Sequence, residues 1–241
     1  MDMKISGSGK IPAGEYENIK ISGSGKLFGL VKCCTFKSSG STHCEDIECE
    51  SLIKSSGTLK IDGDIKTNDL KSSGTLKCRN LEALNDVSAS GTLKCEGNIK
   101  CNSLNSYGSL NVNGSIEVEN VIINGGIECL GLLNAEDVDV KFSNRGFIDS
   151  IGGSNISIKL TRGKRISRMV PVVSLISKKV FGDIKVKNYI EGDKIALEAV
   201  KCPRVTGRVI VIEKGCEIDL VQYSENVTIS KKAKVNKLEK I

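Results

Sequence analysis

"KSSGTLK", Lys54 to Lys60, returns letter for letter at Lys71 to Lys77. Its central glycine belongs to a longer series: Gly7, Gly23, Gly40, Gly57, Gly74, Gly91, Gly108 and Gly125, spaced by seventeen after a first interval of sixteen. A fixed short period marks a stack of like units, each burying its apolar side against its neighbours. Within the unit "GTLKIDGDIKTNDLKSS" from Gly57, the apolar residues Leu59, Ile61, Ile65 and Leu70 alternate with polar ones in short runs. Alternation of period two means strands, and no 3.6-residue period supports a helical repeat. Seventeen residues hold three strands of about five to six residues. The fold expected is all-β: a single-stranded parallel β-helix or solenoid with about seventeen residues and three strands per coil.

The inward ladder continues as Leu93, Cys95, Ile99, Cys101 and Leu104, then as Leu110, Val112, Ile116, Val118 and Val121. Glycines at a second offset, Gly29, Gly63, Gly97, Gly114 and Gly131, predict a corner with positive φ. "CEDIECESLI" from Cys44 and "CRNLEALNDV" from Cys78 place Ile47 and Leu81 one residue early, and register returns by Ile53 and Val87. The spacing predicts a shortened turn followed by a bulge. The regular repeat covers 1–142, an irregular continuation 143–160, a basic and apolar insertion 161–182, and a further stretch of solenoid 183–241, all in one continuous domain.

Composition narrows the classes. The 35 basic and 29 acidic residues give a net charge of +6, too small an excess for a dedicated nucleic-acid binder, so no nucleic-acid partner is expected. Aromatics are 4% and tryptophan is absent, which predicts a thin aliphatic core. The opening "MDMKISGSGK" has no apolar leader, and no stretch approaches the roughly 18 apolar residues of a membrane span. A cytoplasmic location is expected, with the inner face of the membrane as a peripheral alternative. The ten cysteines are then expected to be reduced.

Most cysteines fall on inward offsets, Cys44, Cys78, Cys95 and Cys129 on one and Cys33 and Cys101 on another, where they fill the core as small hydrophobes. Zinc needs four converging ligands, and stacked parallel side chains diverge; neither a metal nor a cofactor is expected. His43, the only histidine, takes an outward offset, and acids such as Asp62, Asp64, Glu96 and Glu117 stand singly at turns. No catalytic set emerges, and the expectation is that the chain is not an enzyme. Lys26, Lys60, Lys77 and Lys94 follow the corner glycine by three, and Lys37, Lys54 and Lys71 precede it by three. Two readings fit these stripes: attraction to an anionic polymer or membrane, or a solvated face that blocks sideways strand pairing. Within the insertion, "MVPVVSLI" is flanked by basic residues. Arg165, Arg168, Met169, Val170, Val172, Val173, Leu175, Ile176, Lys178 and Lys179 are the residues for contact with an anionic membrane. A surface loop or subunit contact fits the same stretch.

The units "ISGSGK", "SSGTLK" and "EGNIK", with "GCEIDLVQYSE" at Gly215 to Glu225, resemble the bactofilin family of polymer-forming cytoskeletal proteins. The chain is longer than a short bactofilin domain and carries the basic insertion. The resemblance implies a right-handed, three-faced parallel β-helix that joins end to end into nucleotide-independent filaments. It implies a non-enzymatic scaffold whose main partner is itself. Uncapped coils leave unpaired strand edges and a slice of open core. The expected self-association surfaces are therefore Ile5, Ile11, Ile19 and Ile21 at one end and Val227, Ile229 and Val235 at the other. The last stretch, "KKAKVNKLEKI", is alternatively a charged cap. Two other functions stay open: a carbohydrate-active or acyl-transferring solenoid enzyme, and a membrane- or cell-wall-binding module that does not polymerise.

Overall fold

A computed structural model describes residues 1–161 and 182–241 of the chain. Its strands form one continuous parallel β-solenoid of about 13 turns. One coil shows the plan. Thr75–Cys78, Leu81–Ala83 and Asp86–Ala89 make a first, second and third face, and each buries two alternate residues: Leu76 and Cys78, Leu81 and Ala83, Val87 and Ala89. Every residue pairs with its equivalent seventeen or so positions away. Leu76 lies between Leu59 and Leu93, and Val87 lies between Leu70 and Leu104. The backbone is thus satisfied from coil to coil, at about 4.8 Å per step. Among the described residues the buried apolar set is Ile, Leu, Val, Ala and Cys, with Phe36 and Phe142 the only aromatics.

The corner glycines have a different reason from bending. A Cβ on Gly40, Gly57, Gly74 or Gly91 would stand 2.0–2.1 Å from the carbonyl oxygen of the glycine one coil before. That oxygen accepts the corner hydrogen bond, as in Thr75 N–H to Gly57 O at 2.9 Å. A coil can stack at strand distance here only where it has a hydrogen in place of a side chain facing the backbone of the coil before.

The second corner corrects the positive-φ expectation. Gly29 alone of its five glycines has it, at 63°. At Gly63 and Gly97 the space a Cβ would need is taken by Oδ1 of Asp46 and of Asn80. These oxygens accept from the backbone N–H of Asp64 (2.8 Å) and Asn98 (2.9 Å), and Asn98 Oδ1 accepts in turn from Ser115 N–H (2.8 Å). A ladder of Asx side chains stitches this corner, and glycine leaves room for it.

The early Ile47 and Leu81 are accommodated as the spacing predicts. Between Leu27/Cys44 and Leu30/Asp46 the later coil has one residue fewer, and between Cys33/Cys49 and Thr35/Leu52 it has one more. Beyond Val140 the coil length varies. Val138 pairs with Ile156, eighteen residues on, whereas Ile195 pairs with Ile210, fifteen on. The strand Gly146–Leu160 pairs directly with Ile184–Val186 and Tyr189–Leu197, so the stack is continuous across residues 162–181.

Candidate functional site

The two ends of the stack differ. Met3–Ile5 and Ser8–Ile11 open it, and among the described residues each has a ladder partner on one side only, Gly14–Ile21 and Ser24–Ser38 respectively. Ile5 and Ile11 belong to this first coil but are only 9% and 0% exposed. Ile19 and Ile21 lie one coil further in, paired with Met3 and Ile5 and equally buried. Met3 and Tyr16 pack half-buried against this end of the core, and the Tyr16 hydroxyl donates to Pro12 O at 3.0 Å. The amino-terminal surface therefore has free backbone edges but a closed core.

The other end is open. Residues 231–241 continue the rod. Lys234–Lys240 adds a strand, with Val235 on Ile218 and Leu238 on Val221. Val227 and Ile229 continue the inward columns of Ile210 and Ile212. Nothing in the described chain covers them: Val227 and Val235 are half-buried, Ile229 is 36% exposed and Leu238 46%. Leu238 was not expected from sequence. The signal was present, because it stands seventeen residues beyond Val221 in the second-face column, but a run of lysines obscures it.

Charge at the ends is ordered too. Each face carries one outward residue between its two inward ones. At the first coil these are Lys10, Glu15 and Lys4 on the first, second and third faces, and at the last they are Lys234 and Glu239 on the first and second. Stacking two chains with their columns in line opposes Lys234 to Lys10 and Glu239 to Glu15. Turning the upper chain by one face opposes Lys234 to Glu15 and Glu239 to Lys4.

His43 faces outward in the column between Lys26 and Lys60, and its Nε2 meets Asp62 Oδ2 at 2.5 Å. Asp62 also takes Lys60 Nζ at 2.6 Å, and the hydrogen bonds from Lys60 first and His43 second hold its carboxyl below the usual range. Arg79 makes a two-pronged contact with Asp64 (3.0 Å each) and lowers that carboxyl as well. These are exposed turn networks around a single carboxylate.

All ten cysteines are free thiols, nine of them buried and Cys34 half-buried. Cys78 and Cys95 are register partners, as are Cys33 and Cys49. The partner thiol beside each, together with burial, keeps Cys33 and Cys78 protonated far above the usual range. Burial pushes Cys44 and Cys101 up to about 12. Among the described residues no group of three or more His, Cys, Asp or Glu is placed to hold a metal ion, and no helix is long and apolar enough to cross a membrane.

The membrane-contact stretch read from sequence, Arg165 to Lys179, lies outside the described residues. No family model, curated protein or solved structure matches the chain.

Proposed function

We propose that the protein is a non-enzymatic structural scaffold that self-associates end to end, without nucleotide, through its carboxy-terminal coil. The observation that carries this is the uncovered slice of core at Ile229 and Leu238, bounded by the unpaired strand edge of Lys234–Lys240. Burying such a slice on another coil repeats the contact that joins coils within the chain. Free edges at the amino-terminal coil supply the complementary backbone, and a head-to-tail contact of unlike surfaces propagates into a filament rather than closing as a dimer. The one-face turn, which sets Lys234 beside Glu15, is the arrangement the end charges support.

Sedimentation velocity across a concentration series, without nucleotide, tests the reading. Mass is expected to rise with concentration, and Ile229→Asp with Leu238→Asp is expected to leave a monomer with an unchanged β-sheet spectrum. Lys234→Glu is expected to weaken assembly and Glu15→Lys to restore it in the double variant. A wild-type chain that stays monomeric at the highest attainable concentration overturns the proposal.

A further inference from the structure

The outward columns of the first six coils follow two opposite rules. On the second face, Glu15, Lys32, Glu48, Lys66, Glu82 and Lys100 stack in register with alternating sign. Lys32 and Glu48 close to 3.3 Å. Along the Ser-Gly edge the rule reverses. Lys4, Lys20, Lys37, Lys54 and Lys71 form one unbroken column on the third face. Lys10, Lys26, His43, Lys60, Lys77 and Lys94 form another on the first face. Of these ten lysines only Lys60 has a carboxylate within salt-bridge distance among the described residues. Like charges directly opposite on neighbouring strands destabilise a sheet. The second face shows that this chain can present charge, and so prevent sideways strand pairing, without that cost. Solubility therefore does not explain the lysine columns.

Between the columns the edge offers further donors. Exposed hydroxyls of Ser39, Ser56 and Ser73 lie on one side of the corner glycines, and those of Ser41, Thr58 and the half-buried Thr75 on the other. No carboxylate stands between the columns. Near the amino-terminal end Lys10, Lys26, His43 and the hydroxyls of Ser8, Ser24 and Ser41 line a shallow, open depression on this edge. The strip stops where Asn111 and Glu128 succeed Lys94, and where Ser88 and Asn105 succeed Lys71. The five steps from Lys10 to Lys94 span about 24 Å at strand spacing.

The geometry points to the Ser-Gly edge of the first six coils as a binding strip for a linear, phosphate-bearing polyanion without bases. Two parallel rows of ammonium groups at coil spacing, with hydroxyl donors between them, match a chain carrying an anionic oxygen cluster on every unit. Nucleic acid fits less well, because no aromatic side chain stands between the columns to stack a base. The nearby Phe28 ring is engaged by the ammonium groups of Lys26 (4.9 Å) and Lys10 (5.9 Å). A bilayer fits less well, because none of the large exposed apolar side chains lies within the strip; Tyr107 marks its lower limit.

The test titrates the full chain with fluorescent inorganic polyphosphate, and in parallel with a poly-dT oligonucleotide and phosphatidylserine vesicles, at several salt concentrations. Polyphosphate is expected to bind most tightly, with affinity falling steeply as salt rises, as counterion release requires. Replacing Lys54, Lys60, Lys71 and Lys77 by glutamine is expected to cost at least tenfold in affinity while leaving thermal stability equal or higher, because repulsion is relieved. Replacing Lys32, Lys66, Lys100 and Lys214, the same charge removed elsewhere, is expected to cost less than threefold. Equal losses in the two variants, tighter binding to the oligonucleotide, binding to vesicles alone, or no binding at low salt would each overturn the assignment. None of these readouts depends on end-to-end assembly.

Discussion

Gly74→Ala separates a glycine needed for its conformation from one needed for its lack of a side chain. A Cβ at Gly74 would sit 2.0 Å from Gly57 O, 2.9 Å from Gly57 C and 3.2 Å from Gly57 Cα. All three are backbone atoms of the adjacent coil, so no side-chain rotation relieves the clash. Overpacking of this kind costs about 1–3 kcal/mol, and pushing the coils apart weakens the bond from Thr75 N–H to Gly57 O by up to about 1 kcal/mol more. The expected loss is about 1–4 kcal/mol, which for a chain of this size is roughly 2–16 °C in melting temperature. Gly7 is the internal control. It is the first glycine of the same series, and a Cβ there meets nothing within 4 Å. Gly7→Ala is expected to be neutral, or to stabilise by up to about 1 kcal/mol through the unfolded chain. Urea unfolding followed by far-ultraviolet circular dichroism measures both. If the two variants lose the same stability, the bend itself requires glycine, and the stacking argument for the repeat is wrong.

Three further outcomes follow from particular side chains. The hydroxyls of Ser55, Ser72 and Ser106 are buried with no hydrogen-bond partner, and their column carries alanine at Ala89. Ser72→Ala is expected to stabilise by about 1 kcal/mol in urea unfolding; a loss of that size would mean that the hydroxyl is satisfied. Because Arg79 lowers the folded-state pKa of Asp64 below its unfolded value near 4, the pair stabilises above that pH. The contribution is lost as pH falls through the folded value, so Arg79→Ala should flatten the acid limb of a stability–pH curve and leave its slope above pH 6 unchanged. Cys34 is the only thiol that is not buried, and its hydrogen bond to Glu50 at 3.3 Å raises its pKa. One thiol per native chain should react readily with a maleimide, and Glu50→Gln should speed that reaction; simultaneous labelling of several thiols would contradict the burial of the rest.

The solenoid was legible because a strand repeat writes its core twice, once as alternation within a face and once as identity between coils. Leu59, Leu76 and Leu93 give both signals, as do Ile65 and Leu81 despite the shifted turn. The glycines were legible as corners but not in mechanism, since sequence cannot show whether a glycine is free to bend or merely too close to its neighbour for a methyl group. Nothing in the local sequence singles out Asn80 and Asn98; their part in the corner ladder depends on the axial approach of coils, which no local pattern encodes. At the ends, Val227, Ile229 and Val235 lie on the extended alternation, whereas the burial of Ile5 and Ile11 in the first coil does not follow from it.

The irregular half of the rod shows what the regular half is for. Ile190 reaches Val205 in fifteen residues, Ile184 reaches Val200 in sixteen, Val138 reaches Ile156 in eighteen and Cys129 reaches Ile148 in nineteen, and the buried columns run on through all of them. The core therefore tolerates coils of different length, because slack is taken up at the corners while inward residues stay in register. Yet the seven residues of "KSSGTLK" repeat without change in consecutive coils, including Lys54, Ser56, Thr58 and Lys60, which face outward and fill no part of the core. A strict period in the exposed positions does one thing that core packing does not require: it keeps like side chains in straight columns along the rod. On the second face those columns neutralise one another. On the Ser-Gly edge they accumulate, and a polyanion lying along the row relieves that repulsion while releasing the counterions the row otherwise holds.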